Sequence, residues 1–358
     1  MRLNELGWDE SFAQHFSQYA VRSDLQPARV AIEFNHNYRV YVDDGELDTT
    51  AAGRLKHRAE SRAALPAVGD WVAVRKRPDE ERGAIVAVLP RRSWFSRKMA
   101  GQVTNEQVVA ANVDVIFIVM GLDGDFSLRR LERYLLLARE SGAAPVILLT
   151  KPDLAPDLPA QDAGVTAIAG DVPVHVVSPR HSRGIDLVAA YFTPGRTGAL
   201  LGSSGVGKST IINRLVGEDV RKTRAVRESD SRGRHTTMHR ELVKLPSGGL
   251  IIDTPGMREL QLWDVNEAVR ETFDDIEALA LSCHFTDCRH RDEPRCAVKA
   301  AVEEGRLAAD RLASYLKLHD ELSALARQQD ERALLERKRQ GRIMGKAMKA
   351  RLKEKRGG

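Results

Sequence analysis

The rhythm of hydrophobic and polar positions changes twice along this chain. From Pro27 to about Arg92, short runs of β-type residues alternate with turn residues. Arg29–Phe34 and Tyr38–Val42 flank the polar Asn35-His36-Asn37 and predict a hairpin; Gly69–Val74 and Gly83–Val88 predict two more strands. Several short strands punctuated by Gly and Asp predict a small β-barrel, most simply an OB-fold. From Asn112 to about Trp263 the pattern becomes alternating strand and helix. Asp114–Met120 is a continuous apolar strand, and Ser127–Glu140 carries Leu128, Leu131, Leu135 and Ala138 on one helical face. Further strands are predicted at Pro145–Leu149, Val172–Val177, Gly198–Leu201 and Leu250–Ile252, with a helix at Ile185–Phe192. Such alternation predicts a parallel sheet covered on both faces. After Trp263 the strands stop, and a cysteine cluster and charged helical sequence from Ala297 onward complete the chain. The expected fold class is therefore multidomain: barrel, α/β domain and helical domain.

Composition sharpens this picture in two places. No apolar run approaches the ~18 residues that a membrane span requires, and Met1–Glu5 lacks the apolar core of a signal peptide. A cytoplasmic protein without membrane contact is expected, with its three cysteines reduced. The net charge of +5 is unevenly distributed: Glu331–Gly358 holds eleven Lys/Arg against three Glu, a net +8 that leaves −3 for the remainder. That arm suits a phosphate-rich partner, a solvated tail being the alternative. On the barrel, Arg91, Arg92, Arg97 and Lys98 beside Trp94 and Phe95 are expected to be exposed, as in surfaces that bind irregular nucleic acid. A purely structural barrel is the competing reading.

The chemistry begins at Gly202-Ser203-Ser204-Gly205-Val206-Gly207-Lys208-Ser209, a full match to the G-x-x-x-x-G-K-[ST] phosphate loop. Its glycines let backbone N–H groups face phosphate oxygens, Lys208 reaches the β/γ-phosphates, and Ser209 ligates Mg²⁺. Thr210 opens the following helix, whose positive end adds to the site. Thr150-Lys151-Pro152-Asp153 selects the base: a carboxylate at Asp153 can accept two hydrogen bonds from guanine N1–H and N2–H₂, which adenine does not offer. Lys151 would lie over the ring with its aliphatic stem. Thr150 stands where most GTPases carry Asn, which is expected to weaken the bonds bracing the loop. Ser178, at the end of its strand, suits a backbone contact to the guanine carbonyl. Asp253-Thr254-Pro255-Gly256 follows an apolar strand, placing Asp253 to hold Mg²⁺ through water and Gly256 to sense the γ-phosphate. Between these lies Arg232–Thr237, a polar segment fitting a first switch, with Thr237 available to Mg²⁺. Together these elements predict binding of GTP and GDP.

Two further features bear on activity and folding. Met257 occupies the position where classical GTPases orient water with glutamine. Intrinsic turnover should therefore be slow, and His235 is the candidate to polarise the water once a partner positions it. Cys283, Cys288, His290 and Cys296 form C-x4-C-x-H-x5-C. Three thiolates and an imidazole suit tetrahedral Zn²⁺ and leave no position open for chemistry, so the expected ion is structural. His284 is the competing ligand.

The motif order is base, phosphate, switches, whereas an ordinary GTPase runs phosphate, switches, base. With the barrel and its Val68-Gly69-Asp70, with Gly233–Thr237, Asp253–Gly256 and the cysteine cluster, the chain resembles the ribosome small-subunit-dependent GTPases, a circularly permuted bacterial family. The resemblance implies an OB-fold (1–100), a permuted GTPase domain (101–262) and a zinc-bearing helical domain with a basic tail (263–358). It also implies a monomeric factor in late maturation of the small ribosomal subunit, binding rRNA, whose GTP hydrolysis is stimulated by that subunit and coupled to release. A nucleotide-gated RNA-binding module with incidental turnover, and a P-loop ATPase or kinase, are the competing classes.

Overall fold

The computed structural model describes residues 2–34, 37–59, 61–76, 82–98, 106–217, 240–253, 272–320 and 323. They fall into two compact units, one reaching Thr272 and the other beginning at Phe273.

Within the first unit, β1 (Leu25–Phe34), β2 (Asn37–Val42), β3 (Gly45–Ala51), β4 (Trp71–Lys76) and β5 (Arg82–Val88) pair in the order β1-β2-β3-β5-β4, and β4 pairs back onto β1. The five strands thus close a barrel of the expected OB-like kind around Val30, Val40, Val72, Val74 and Ile85. Strand β3 was not expected. Its sequence, GELDTTA, has one large apolar residue, yet Leu47, Thr49 and Ala51 alternate inward. An inward threonine, whose hydroxyl donates to the Tyr38 carbonyl at 3.1 Å, hides the period from a hydrophobicity reading.

The expected cationic and aromatic surface of this region is only partly exposed. Arg91 is paired side-on with Asp70, at 2.8 and 2.7 Å, and also donates to the carbonyls of Ala63 and Leu65. Asp70 is fully buried, so this pair is internal and satisfied. Arg92 bonds Asp9 and lies over the Phe12 ring at 4.1 Å. Phe95 is buried, whereas Trp94 remains 44% exposed. Gly69 is required beside this pair, because a Cβ there would lie 2.1 Å from the Ala111 carbonyl oxygen. Strands β6 (Trp94–Lys98) and β7 (Glu106–Ala111) form their own antiparallel pair.

The α/β part contains β8 (Val115–Gly121), β9 (Ala144–Thr150), β10 (Val174–Val177), β11 (Thr197–Leu201), β12 (Arg240–Lys244) and β13 (Leu250–Asp253). Their order is β10-β9-β8-β11-β13-β12, parallel throughout except for β12. Every residue of β8 is buried, as an unbroken apolar run in a two-sided sheet should be. Parallel strands end on one edge, so Gly121, Thr150, Val177, Leu201 and Asp253 deliver their following loops to one place. Strand β12 also pairs antiparallel with β1, Ile32 opposite Glu241 and Glu33 opposite Arg240. Barrel and domain therefore share one continuous eleven-stranded sheet.

The helix Leu128–Ser141 in this part is capped by the Ser127 hydroxyl, which accepts the Arg130 N–H. The Leu158–Ala169 helix was missed because it is built of small residues. Its signals are the Asp157 cap, accepting the Ala160 N–H at 3.0 Å, and proline in its first turn. In the second unit, helices Asp274–Ala280, Ala297–Glu303 and 309–320 bury Phe273, Ile276, Val298, Ala301, Leu312 and Tyr315.

Candidate nucleotide site and metal cluster

Strand β11 turns into the phosphate loop at Gly202, where a Cβ would come within 2.3 Å of the Val119 carbonyl oxygen. The loop then needs positive φ at Gly205 (79°) and Gly207 (102°), conformations that side chains disfavour. Val206 between them is buried and anchors the loop in the core, while Ser204 faces solvent. Residues 208–217 are helical, and Ser209 and Thr210 lie exposed in the first turn. Lys208 Nζ donates to the carbonyls of Gly202 (2.7 Å) and Ser203 (2.6 Å), holding an ammonium across the loop mouth. A helix N-terminus, a cationic lysine and turned backbone amides together make an anion site.

The base-recognition segment is tied directly to this loop. Thr150 is fully buried, and its Oγ1 lies 2.7 Å from the Val206 carbonyl oxygen and 3.3 Å from that of Met120. With one proton to give, the hydroxyl serves the shorter contact. The brace expected to weaken with threonine is thus present. Lys151 adopts the left-handed conformation (φ 57°), and Pro152 starts the short turn Pro152–Leu154 that leaves Asp153 exposed. Ser178 departs from expectation. Its N–H donates to the Arg183 carbonyl at 2.9 Å and its hydroxyl pairs with His181 Nδ1 at 3.0 Å. Pro179 has no N–H, so in this structure neither residue has an amide free for a guanine carbonyl. Asp253 ends β13, half-buried. His235 and Thr237 in the first-switch segment, and Thr254, Gly256 and Met257 in the second, lie outside the described residues.

The loop between β8 and the Leu128–Ser141 helix carries no recognised motif, yet it belongs to the site. Asp123 accepts a 2.6 Å hydrogen bond from Lys151 Nζ, and that bond together with the lysine's charge holds its carboxyl below the usual range. Asp125 accepts from the Ser203 hydroxyl and, at 2.6 Å, from Arg130. Burial opposes ionisation of Asp125, but those two partners outweigh it and its pKa falls. The signal available in sequence was a pair of aspartates at the carboxyl end of a buried strand, which no motif flags.

In the second unit, Cys283, Cys288, His290 and Cys296 bring one ligand atom each within 4.8 Å of one another. His290 Nδ1 is 3.6 Å from Cys283 Sγ and 3.4 Å from Cys296 Sγ, and those two sulfurs are 3.9 Å apart. Tetrahedral bonds of about 2.3 Å to sulfur and 2.0 Å to nitrogen place sulfurs ~3.8 Å apart and sulfur and nitrogen ~3.5 Å apart. The donor set therefore fits a tetrahedral metal ion. Burial lowers the His290 pKa, favouring the neutral imidazole that ligation needs. His284 is exposed, edge-on to Phe285, and outside the cluster. Glu293 holds the connecting loop: it accepts the N–H groups of Arg289 (3.0 Å) and Arg291 (2.8 Å). Such backbone bonds, including one from its own N–H, draw its pKa to about 2.

The RsgA GTPase family model matches residues 88–263. A small ribosomal subunit biogenesis GTPase RsgA from Opitutus terrae is 51% identical over 339 residues, 92% of either chain. The chain belongs to the RsgA GTPase family. Another member, from Leptospira interrogans, is 38% identical over 355 residues, covering 99% of this chain and 97% of its own. Among solved structures, YjeQ from Thermotoga maritima matches 83% of this chain and 98% of its own with a TM-score of 0.59 at 26% identity. YloQ, described as a circularly permuted GTPase, matches 84% and 96% with a TM-score of 0.57 at 25% identity. Family membership explains the motif order: the sheet is that of a GTPase, entered at β8, so the base loop after β9 precedes the phosphate loop after β11 in the chain. Among the described residues no helix is long and apolar enough to cross a membrane.

Proposed function

We propose that this protein hydrolyses GTP while assisting late maturation of the small ribosomal subunit, binding rRNA and being released on hydrolysis. The observation that carries the reading is the hydrogen bond from Thr150 to the Val206 carbonyl, which joins the base and phosphate halves of the site across 56 residues of chain. The partner is drawn from the relatives, named small ribosomal subunit biogenesis GTPases. In this reading Asp153 and Lys151 take the guanine base and residues 202–209 take the phosphates. Ser209, Asp253 and Thr237 hold Mg²⁺, Gly256 reads the γ-phosphate, and His235 polarises the attacking water. Zn²⁺ is the ion assigned to Cys283, Cys288, His290 and Cys296, since three thiolates and an imidazole suit a structural zinc. The protein acts as a cytoplasmic monomer, with 1–100 and the basic tail after 331 facing RNA and 101–262 turning over nucleotide.

The test is GTP turnover with and without purified small subunits at two salt concentrations. Stimulation that fades at higher salt is expected, because neutralised RNA phosphates release counterions. No stimulation at either salt sinks the proposal. Met257, which cannot orient water, favours a second reading in which turnover is incidental. Under it, Lys208→Ala would abolish nucleotide binding yet leave subunit maturation intact.

A further inference from the structure

We propose that Asp123 is a positioning residue for nucleotide binding: its ion pair holds the Lys151 side chain over the guanine ring, in a place kept open by the absence of a side chain at Gly121. The geometry is built from three directions. Asp123 Oδ2 takes the Lys151 ammonium at 2.6 Å, while its Oδ1 accepts the Asp125 N–H at 3.2 Å, so the carboxylate is oriented before any ligand arrives. Lys151 is fixed at its other end by a left-handed backbone between the buried Thr150 and Pro152. Beneath the carboxylate, a Cβ on Gly121 would meet Asp123 Oδ1 at 2.6 Å, and its three nearest neighbours would all be Asp123 atoms.

An ordinary surface ion pair does little, because two long side chains must surrender their freedom to meet. Here Asp123 is short and already held, and the two side chains are only 22% and 30% exposed. The pair's effect is therefore on where the lysine stem lies. Two residues on, Asp125 grips Ser203 of the phosphate loop. The loop from Leu122 to Phe126 thus supports both halves of the site, reaching the base side through Asp123.

Gly121 offers an unusually clean probe. Its backbone is not left-handed, so Gly121→Ala strains only a flexible carboxylate and pushes it off the lysine. The experiment measures affinities for GTP, GDP and ITP, KM and kcat, and melting temperature in wild type, Gly121→Ala, Asp123→Ala and the double variant. A charge-assisted hydrogen bond is worth roughly a ten- to hundredfold change in affinity. Each single variant should weaken all three nucleotides together by about that factor, with the loss in KM rather than kcat and the melting temperature held. The double variant should be no weaker than Asp123→Ala, since both remove one interaction. Affinities within twofold of wild type would overturn the role. So would a collapse of the preference for GTP over ITP, which would mean the whole Thr150–Leu154 turn, Asp153 included, had moved. Effects that add in the double variant overturn it as well. The inference rests on the GTP reading: wild type that binds no GTP sinks that reading, whereas normal wild-type binding with unaltered variants sinks only the role of Asp123.

Discussion

The metal cluster and the nucleotide site solve the same problem, bringing polar groups together, by opposite routes. All four metal ligands come from fourteen consecutive residues, Cys283 to Cys296, shaped by tight turns and by Glu293 gripping two backbone amides. The nucleotide site is assembled from loops after β8, β9 and β11, where Asp123 meets Lys151 and Asp125 meets Ser203 only because parallel strands end on one edge. A local site needs an ion to justify its cost, because clustered thiolates repel. A distributed site needs a sheet, because its groups are held by hydrogen bonds to one another.

The largest expected effect follows from that dependence on the ion. Chelation, or Cys296→Ser, should remove on the order of 10 kcal/mol of folding free energy from the unit beginning at Phe273. Metal content and thermal melting would register this, while GTP affinity should persist; if GTP binding disappears too, the contrast between the sites is wrong. Next in size is the base carboxylate. Asp153→Asn should cost GTP roughly 10⁴-fold in preference and favour xanthine nucleotides, read by competition binding. An unchanged preference would remove Asp153 from the site.

Smaller effects probe the ties within the distributed site. Thr150→Val keeps the shape but leaves the Val206 carbonyl without its partner, which should cost ~1–3 kcal/mol, or roughly five- to 150-fold in GTP affinity, with Thr150→Asn recovering most of it. Equal affinity in Thr150→Val would mean the loops hold without the brace. His284→Ala should leave metal content at wild-type level, since that ring lies outside the cluster. Least of all is the response to pH. The Asp123 carboxyl is held below its usual range, so its bond to Lys151 is present above the ordinary aspartate pKa of about 4 and is lost only as pH falls through the depressed value. GTP affinity should therefore show no step from this pair between pH 6 and 8, which a titration of Kd would check.

Much of the fold was legible where one rule acted alone. The apolar run of β8, the leucine face of the Leu128–Ser141 helix and the phosphate loop each announce themselves, because a two-sided sheet, a buried helix face and a phosphate cradle each demand a narrow choice of residues. What stayed hidden was governed by partners distant in sequence. Strand β3 carries Thr49 inward because a hydroxyl can be satisfied by the Tyr38 carbonyl. Arg91 reads as a surface cation until Asp70 appears beneath it. Ser178 looks available until its amide is found on Arg183.

Sequence alone determined the chemistry on offer: a phosphate loop, a carboxylate for guanine, three cysteines and a histidine in ligand spacing, and a motif order that only a permuted sheet can reconcile. These are statements about residue type and spacing, and covalent order carries them in full. Tertiary structure decided which of those groups remain free to act. Hydrogen-bonding capacity is finite, and folding uses it first on neighbours: Arg91 on Asp70, and the Ser178 amide on Arg183. What remains exposed and unspent, as Asp153 does, is what the protein has left to offer a ligand.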